Sequence, residues 1–271
     1  GRCDGRGGLS PNTVQDICTL TGSILEYAKR EYKVNVSLEP PTVKVPEKEM
    51  RVLSLDEQRK LEIYLFSNLD LIAIGCLLSL YVGLRIGELS ALKLSDFDFS
   101  NGTLRITKTM QRVKNFDPKI KTKTKIIIDS PKSKKSVRTL PVPGFLLEII
   151  KKRYNLVIPN AYFLTGKTSR YKEPRRVEYQ FKKITDRCGL KEVNFHALRH
   201  TFATRLTEHG TDVKTLSELM GHANIKTTLK YMHSSEQQKR AVMNCFAYPL
   251  SRQHFGICNK EFPENKPVIA I

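Results

Sequence analysis

The sequence predicts a mainly α-helical protein with a small antiparallel β-sheet, an α+β fold, and three observations carry that expectation. Apolar residues recur at helical spacing over residues 10–32, 145–154, 175–188 and from 196 to 248. Between residues 97 and 143 the pattern changes to short runs around Leu104 and Ile106, then Ile126, Ile127 and Ile128, then Val137, Leu140 and Val142, which suit strands. Residues 33–51 hold three prolines and no periodicity, so an extended linker separates a short N-terminal helical piece from a larger unit.

The first helix opens with Ser10 as N-cap and Pro11 in the first turn, and Val14, Ile17, Leu20, Ile24, Leu25 and Ala28 follow on one face. The second unit opens at Leu53, where Ser54 and Glu57 have capping-box spacing. The apolar stretch 69–81 that follows is too short for a bilayer and predicts a buried helix. Residues 101–140 carry twelve Lys or Arg against two Asp, which makes the strand region a basic ribbon with a long connection around 115–121. The expected division is 1–45 for the helical piece and linker, 46–248 for the main domain and 249–271 for a C-terminal tail. The start at Gly1-Arg2, without Met, reads as a chain whose earlier helices are missing.

A formal charge of +19 over 271 residues, with pI near 9.7, favours a polyanionic partner, nucleic acid first and an anionic membrane surface second. No apolar run is long enough for a membrane span and no leader pattern is present. The six cysteines are scattered without a C-x-x-C pair, which predicts reduced thiols and a cytoplasmic protein. His254 and Cys258 are two potential metal ligands at one spacing, too few for a site.

Three clusters carry chemistry. In the first, Arg85 stands in an apolar segment between Gly83 and Gly87, with Glu88 three residues on and able to orient its guanidinium. In the second, His196 and Arg199 share a helix face, a pairing that makes sense if both point at an anion. In the third, Gly221 fits a helix C-terminus, His222 follows it, and Tyr231 comes nine residues later. Each cluster alone also fits a structural role: a surface ion pair, a capping pair, a core tyrosine.

In this order the clusters resemble the tyrosine recombinase, or phage integrase, family. The motifs are GLRIGELSAL, SPKSKKSVRTLPVP, HALRHTFATRL, LMGHANIKTT and the tyrosine of KYMH. The resemblance covers roughly residues 50–246, and the long charged ribbon is most similar to integrases of conjugative transposons. Residues 1–32 look like the end of the family's helical core-binding domain. The resemblance implies that Arg85 and Arg199 clamp the scissile phosphate with His222 as a third donor. It implies His196 as the base, Tyr231 as the nucleophile, and a hairpin lysine as general acid, best matched by Lys132 with Lys134 and Lys135 close by. Two arginines would also lower the tyrosine's pKa.

The expected product is a 3′-phosphotyrosyl link with a free 5′-hydroxyl, made without ATP, metal or other cofactor; no carboxylate cluster near these motifs suits Mg²⁺. Lys108, Arg112, Lys134, Lys135, Arg138 and Arg205 are expected DNA contacts. The implied partners are double-stranded DNA, three further copies in a synaptic tetramer (a monomer or weak oligomer without DNA), and an accessory excisionase or DNA-bending protein, with no membrane. The tail would exchange between protomers. A type IB topoisomerase and a DNA-binding protein without catalysis are the rival readings.

Overall fold

The computed structural model describes residues 8–34, 40–45, 50–116, 122–131, 134–154, 158–231 and 240. The chain separates into two units, with the division between Met50 and Arg51. In the first, α1 (Pro11–Tyr32) starts at Ser10, whose hydroxyl accepts from the Thr13 amide at 3.2 Å. It buries no residue: Ile17, Leu20 and Ile24 are all exposed.

The second unit is built around one central helix. Here α2 (Leu55–Ser67) begins with the expected reciprocal cap: the Ser54 hydroxyl accepts from the Glu57 amide, and the Glu57 carboxylate accepts from the Ser54 amide. Helix α3 (Leu71–Val82) is buried on all sides except at Leu71 and Tyr81. That is the fate of a helix apolar all round. Asp70 caps it by accepting from the amides of Ile72 and Ala73 at 2.9 and 2.7 Å, and Gly83 ends it in the left-handed conformation, φ 72°. The short α4 (Ile86–Ala91) follows.

The strand region forms two pieces. Strands β1 (Phe97–Asp98), β2 (Thr103–Ile106) and β5 (Arg138–Pro141) make a three-stranded antiparallel sheet with β2 in the middle, Leu104 lying opposite Leu140. Strands β3 (Thr109–Lys114) and β4 (Thr124–Asp129) make the separate two-stranded ribbon, with Gln111 opposite Ile127. Most of the ribbon's connection, residues 117–121, lies outside the described residues. The sequence pattern had shown the strands at β2, β4 and β5. The other two are less visible because β1 is two residues long and β3 buries only Met110 along a basic face.

Helices α5 (Gly144–Arg153), α6 (Pro174–Arg187) and α7 (His196–Glu208) all contribute to the core around α3. Helix α8 (Val213–Met220) ends at Gly221, again left-handed at φ 60°. The last described helix, α9 (Lys226–Leu229), is short, and Tyr231 sits in the turn after it, its amide donating to Thr228 O at 3.0 Å. The mainly α architecture with small antiparallel sheets matches the expected class. No helix among the described residues is long and apolar enough to cross a membrane.

Candidate active site

The site assembles where α4, β5, α7 and the ends of α3, α8 and α9 converge. Arg85 is the N-cap of α4, one residue before the helix. Its amide and Nη1 both donate to Glu88, at 2.9 and 2.8 Å, so the orienting role expected of Glu88 has its geometry. Glu88 is buried, and it also accepts both ends of the Arg138 guanidinium at 3.0 Å each. Arg138 had been expected at the DNA. Instead its side chain is 6% exposed, and its Nε donates to Leu219 O at 2.9 Å. Its position on β5 turns it inward, where Glu88 is the carboxylate that balances it among the described residues.

Arg199 is the largest fully buried side chain among the described residues. Its Nη1 donates to Gly83 O at 2.5 Å, and its Nη2 donates to Met220 O and faces His222 Nε2 at 3.3 Å. The two left-handed glycine regions thus hold the guanidinium between the ends of α3 and α8. At Gly83 a Cβ would stand 2.5 Å from the Phe202 ring, and at Gly221 it would stand 2.9 Å from Arg138 Nη1. Gly87 has a different reason: a Cβ there would lie 2.6 Å from Thr109 Oγ1, so only glycine lets α4 approach β3 this closely. Gly83→Ala is expected to lower stability by about 2 kcal/mol or more, from left-handed strain plus ring overlap. Chemical denaturation measures it, and a loss below half a kcal/mol contradicts the tight fit.

His222 is buried, with Nδ1 2.8 Å from Thr228 Oγ1. Since Arg199 can only donate, His222 Nε2 accepts, and the ring proton sits on Nδ1 toward Thr228. Tyr231 is 8% exposed and stacks on His222 at 6.4 Å between centroids. Its hydroxyl stands 2.6 Å from Nδ1 of His200, a residue that the motif spacing had not singled out. His196, the expected partner, sits one turn earlier with its ring edge-on to His200 at 4.7 Å. The available signal was the spacing of His196 and His200 by four residues, which puts both on one helix face.

Two guanidinium groups, Arg85 and Arg138, therefore bond one buried carboxylate, and the charge of a third, Arg199, acts on it while its own donors meet Gly83 O, Met220 O and His222. The pKa shifts follow. Burial raises Glu88, but the hydrogen bonds and charge of Arg138, then Arg199 and Arg85, outweigh it and hold the carboxyl at about 2. Burial, then the charge of Arg85, lowers Arg199, which stays protonated at neutral pH. Burial, with Arg199 and Arg85 next, pushes His222 to about 4. Burial, then His196 and Arg199, pushes His200 to about 4. Burial lowers His196 as well, helped by Arg199 and Arg85. For Tyr231 the sequence expectation is reversed in net. Arg199 and Arg85 do lower its pKa, but burial raises it by more.

A stability prediction follows from the histidines. His200 and His222 bind protons less readily folded than unfolded, so between about pH 6.5 and 4 the unfolded chain takes up more protons and stability falls as pH falls. The melting temperature is expected to drop across that window. A double variant, His200→Asn with His222→Asn, should flatten the slope; an unchanged slope refutes the assignment.

The other expected DNA contacts divide. Lys108 and Lys135 are exposed. Arg112 is also exposed but is engaged by Thr124 Oγ1 at 2.7 Å and by Glu173 at 2.5 Å. Arg205 is turned inward: it donates to Gln58 Oε1 at 3.0 Å and Leu53 O at 2.7 Å and pairs with Glu208. It ties α7 to α2 rather than facing a ligand. Lys132 lies outside the described residues, as does the tail 249–271. Lys134 begins the 3₁₀ turn Lys134–Ser136. Among the described residues no group of three His, Cys, Asp or Glu side chains could hold a metal ion.

The ordered arginine, histidine-arginine, histidine and tyrosine motifs are thus brought to one place, and comparison with known proteins decides their family. The model of the phage integrase family matches residues 66–238. The chain belongs to the phage integrase family. It is 36% identical over 178 residues to the tyrosine recombinase XerC-like protein of Caldanaerobacter subterraneus subsp. tengcongensis, covering 60% of this chain and 46% of that one. It is 33% identical over 198 residues to tyrosine recombinase XerA of Thermococcus onnurineus, covering 72% and 61%. This integrase family chain thus spans about half to three fifths of the length of those curated relatives. In fold it is similar to the Tn1549 transposon integrase, solved with circular intermediate DNA, at TM-score 0.69 and 24% identity, covering 89% of this chain and 81% of that one. It is similar also to the XerH site-specific recombinase bound to palindromic difH substrate, at TM-score 0.60 and 19% identity, covering 89% and 66%. The transposon integrase is the kind of relative to which the charged ribbon pointed.

Proposed function

We propose that this integrase family chain is the catalytic part of a site-specific DNA recombinase that cuts and rejoins strands through a covalent 3′-phosphotyrosine at Tyr231, integrating and excising a mobile element. One observation carries the reading. The Tyr231 hydroxyl is buried within reach of two arginine charges, in a cluster whose cations exceed its single carboxylate. Among the described residues that surplus meets no second carboxylate, and a phosphodiester in line with the phenol would balance it.

The steps divide among named groups. Arg85, 32% exposed and oriented by Glu88, and Arg199, fixed at the base of the site, bind the non-bridging oxygens. His222 becomes a third donor once the phosphate charge favours a proton on its Nε2. The phenol oxygen forms a bond to phosphorus as the bond from phosphorus to the 5′ oxygen breaks. The departing oxygen takes a proton from the hairpin lysine, assigned to Lys132. The phosphotyrosyl link keeps the bond's energy, so attack by another 5′-hydroxyl rejoins the strand without ATP. Lys108, Lys135 and Arg112 add phosphate contacts. Strand exchange takes four copies on two duplexes, with an accessory DNA-bending or excision factor setting direction.

Adduct capture tests this. The protein is incubated with nicked duplexes carrying a randomised central region, and the covalent products are isolated under denaturing conditions and digested. Mass spectrometry should find nucleotides on Tyr231, and sequencing of the attached strands gives the target. A supercoiled plasmid lacking that target should not be relaxed; efficient relaxation favours a type IB topoisomerase instead. Arg85→Lys is expected to slow adduct formation by about 100-fold or more, because an ammonium cannot hold a phosphate and Glu88 in one planar fork. Near-normal single-turnover cleavage by that variant would remove Arg85 from the phosphate clamp.

A further inference from the structure

We propose that His200 is the group that accepts the Tyr231 phenol proton during strand cleavage. The proposal rests on the reading of Tyr231 as nucleophile and deepens it. The observation is positional. His200 Nδ1 is the ring atom 2.6 Å from the phenol oxygen, the two rings lie 5.7 Å apart between centroids, and the phenol is 8% exposed. A buried phenol needs a polar partner, and the partner present here is an imidazole on the same helix as Arg199. Residues 199 and 200 are adjacent, so α7 delivers a phosphate-binding guanidinium and a proton acceptor to one site.

The charged groups around His200 favour an acceptor. His196 and Arg199 act on it from its own helix, Tyr231 faces it from the turn after α9, and His222, after α8, is coupled to it by charge. Burial first, then His196 and Arg199, disfavours a positive charge on the ring, so at neutral pH it is neutral. A neutral ring that accepts at Nδ1 carries its own proton on Nε2. The phenol then donates its hydrogen toward His200 and leaves an oxygen lone pair free for phosphorus.

During attack, the phenol oxygen's electron pair forms the bond to phosphorus and the hydroxyl proton passes to Nδ1. The bond to the 5′ oxygen breaks with its electron pair on that oxygen, which is protonated by the hairpin lysine. A weakly basic imidazole suffices, because the phenolic hydrogen becomes far more acidic as the oxygen bonds to phosphorus, and the phosphate's negative charge raises the imidazole's proton affinity. When the strand is rejoined, the same Nδ1 returns the proton to the departing phenolate. His196, edge-on to His200, then tunes the acceptor without touching the nucleophile.

The test uses the nicked duplexes recovered by adduct capture and compares wild type, His200→Ala and His200→Asn in single-turnover adduct formation, with DNA binding measured alongside to establish folding. His200→Ala is expected to bind DNA within about twofold of wild type and to form adduct about 100-fold more slowly. Added imidazole should restore part of that rate, and the rescue should grow with its free-base fraction as pH rises. His200→Asn places a hydrogen-bonding amide near the Nδ1 position but cannot take up a proton, so it should stay slow. Adduct formation by His200→Ala at the wild-type rate overturns the proposal. So does a wild-type rate in His200→Asn, or an alanine variant that imidazole does not rescue, since either makes the contact a strut. A wild-type protein that attaches DNA through a residue other than Tyr231 instead refutes the underlying reading, and does so before any His200 variant is made.

Discussion

Tyr231→Phe is expected to form no covalent DNA adduct while binding DNA within about twofold of wild type. The phenol contributes one oxygen, and that oxygen is the atom that would bond to phosphorus. Two described hydroxyls at the site are engaged elsewhere: Thr228 is held by His222 at 2.8 Å, and Ser136 faces Gly221 O at 3.4 Å. The variant keeps the ring that stacks on His222 and loses one hydrogen bond to His200, a stability cost of about 1 kcal/mol. It therefore stays folded, and its loss of activity reports chemistry. A denaturing gel of the nicked duplex reads the result directly. A slower-migrating protein–DNA band that survives in Tyr231→Phe would show that another nucleophile is used.

Arg138→Met is expected to have the largest effect on stability, about 3 kcal/mol or more. The substitution removes two hydrogen bonds from Glu88, which is 2% exposed, and leaves that carboxylate bonded by Arg85 with only the charge of Arg199 beside it. It also frees Leu219 O beside the end of α8. The pH dependence gives the mechanism away. In the wild type Glu88 is held at about 2, below its unfolded value, so its contribution is present above the unfolded pKa near 4.3 and is lost as pH falls toward 2. In Arg138→Met the carboxyl is released upward, and the deficit relative to wild type should shrink as pH is lowered from 7 to 4. Urea denaturation at both pH values measures it. A deficit that does not change with pH would place the cost in packing and not in the stranded carboxylate. Because Glu88 also orients Arg85, adduct formation should fall in the same variant.

Much of the frame was legible along the chain because its determinants are local. The Ser54–Glu57 cap and the Gly221 end of α8 each involve residues a few positions apart, and each forms as local chemistry dictates. An unbroken apolar stretch told α3 apart as the core helix. The family motifs likewise named the residues that meet. What stayed hidden were the β1 and β3 strands, too short or too polar to show a period, and the partners of charged groups. Arg138 and Arg205 read as surface cations in a basic sequence, because composition does not show that one faces Glu88 from 50 positions away and the other ties α7 to Leu53 and Gln58.

The sequence by itself determined the mainly helical class, the basic ribbon, the excess of positive charge and the set of arginines, histidines and tyrosine on which the family reading rests. Tertiary structure alone decided which imidazole touches Tyr231, which arginine is buried as a strut, and in which direction the phenol's pKa moves. The physical reason is range. Caps, periodicity and net charge are set by neighbours in the chain, whereas burial and the pairing of charges depend on groups that meet only when the chain has folded, and in this site burial outweighs the two positive charges that the sequence put beside the tyrosine.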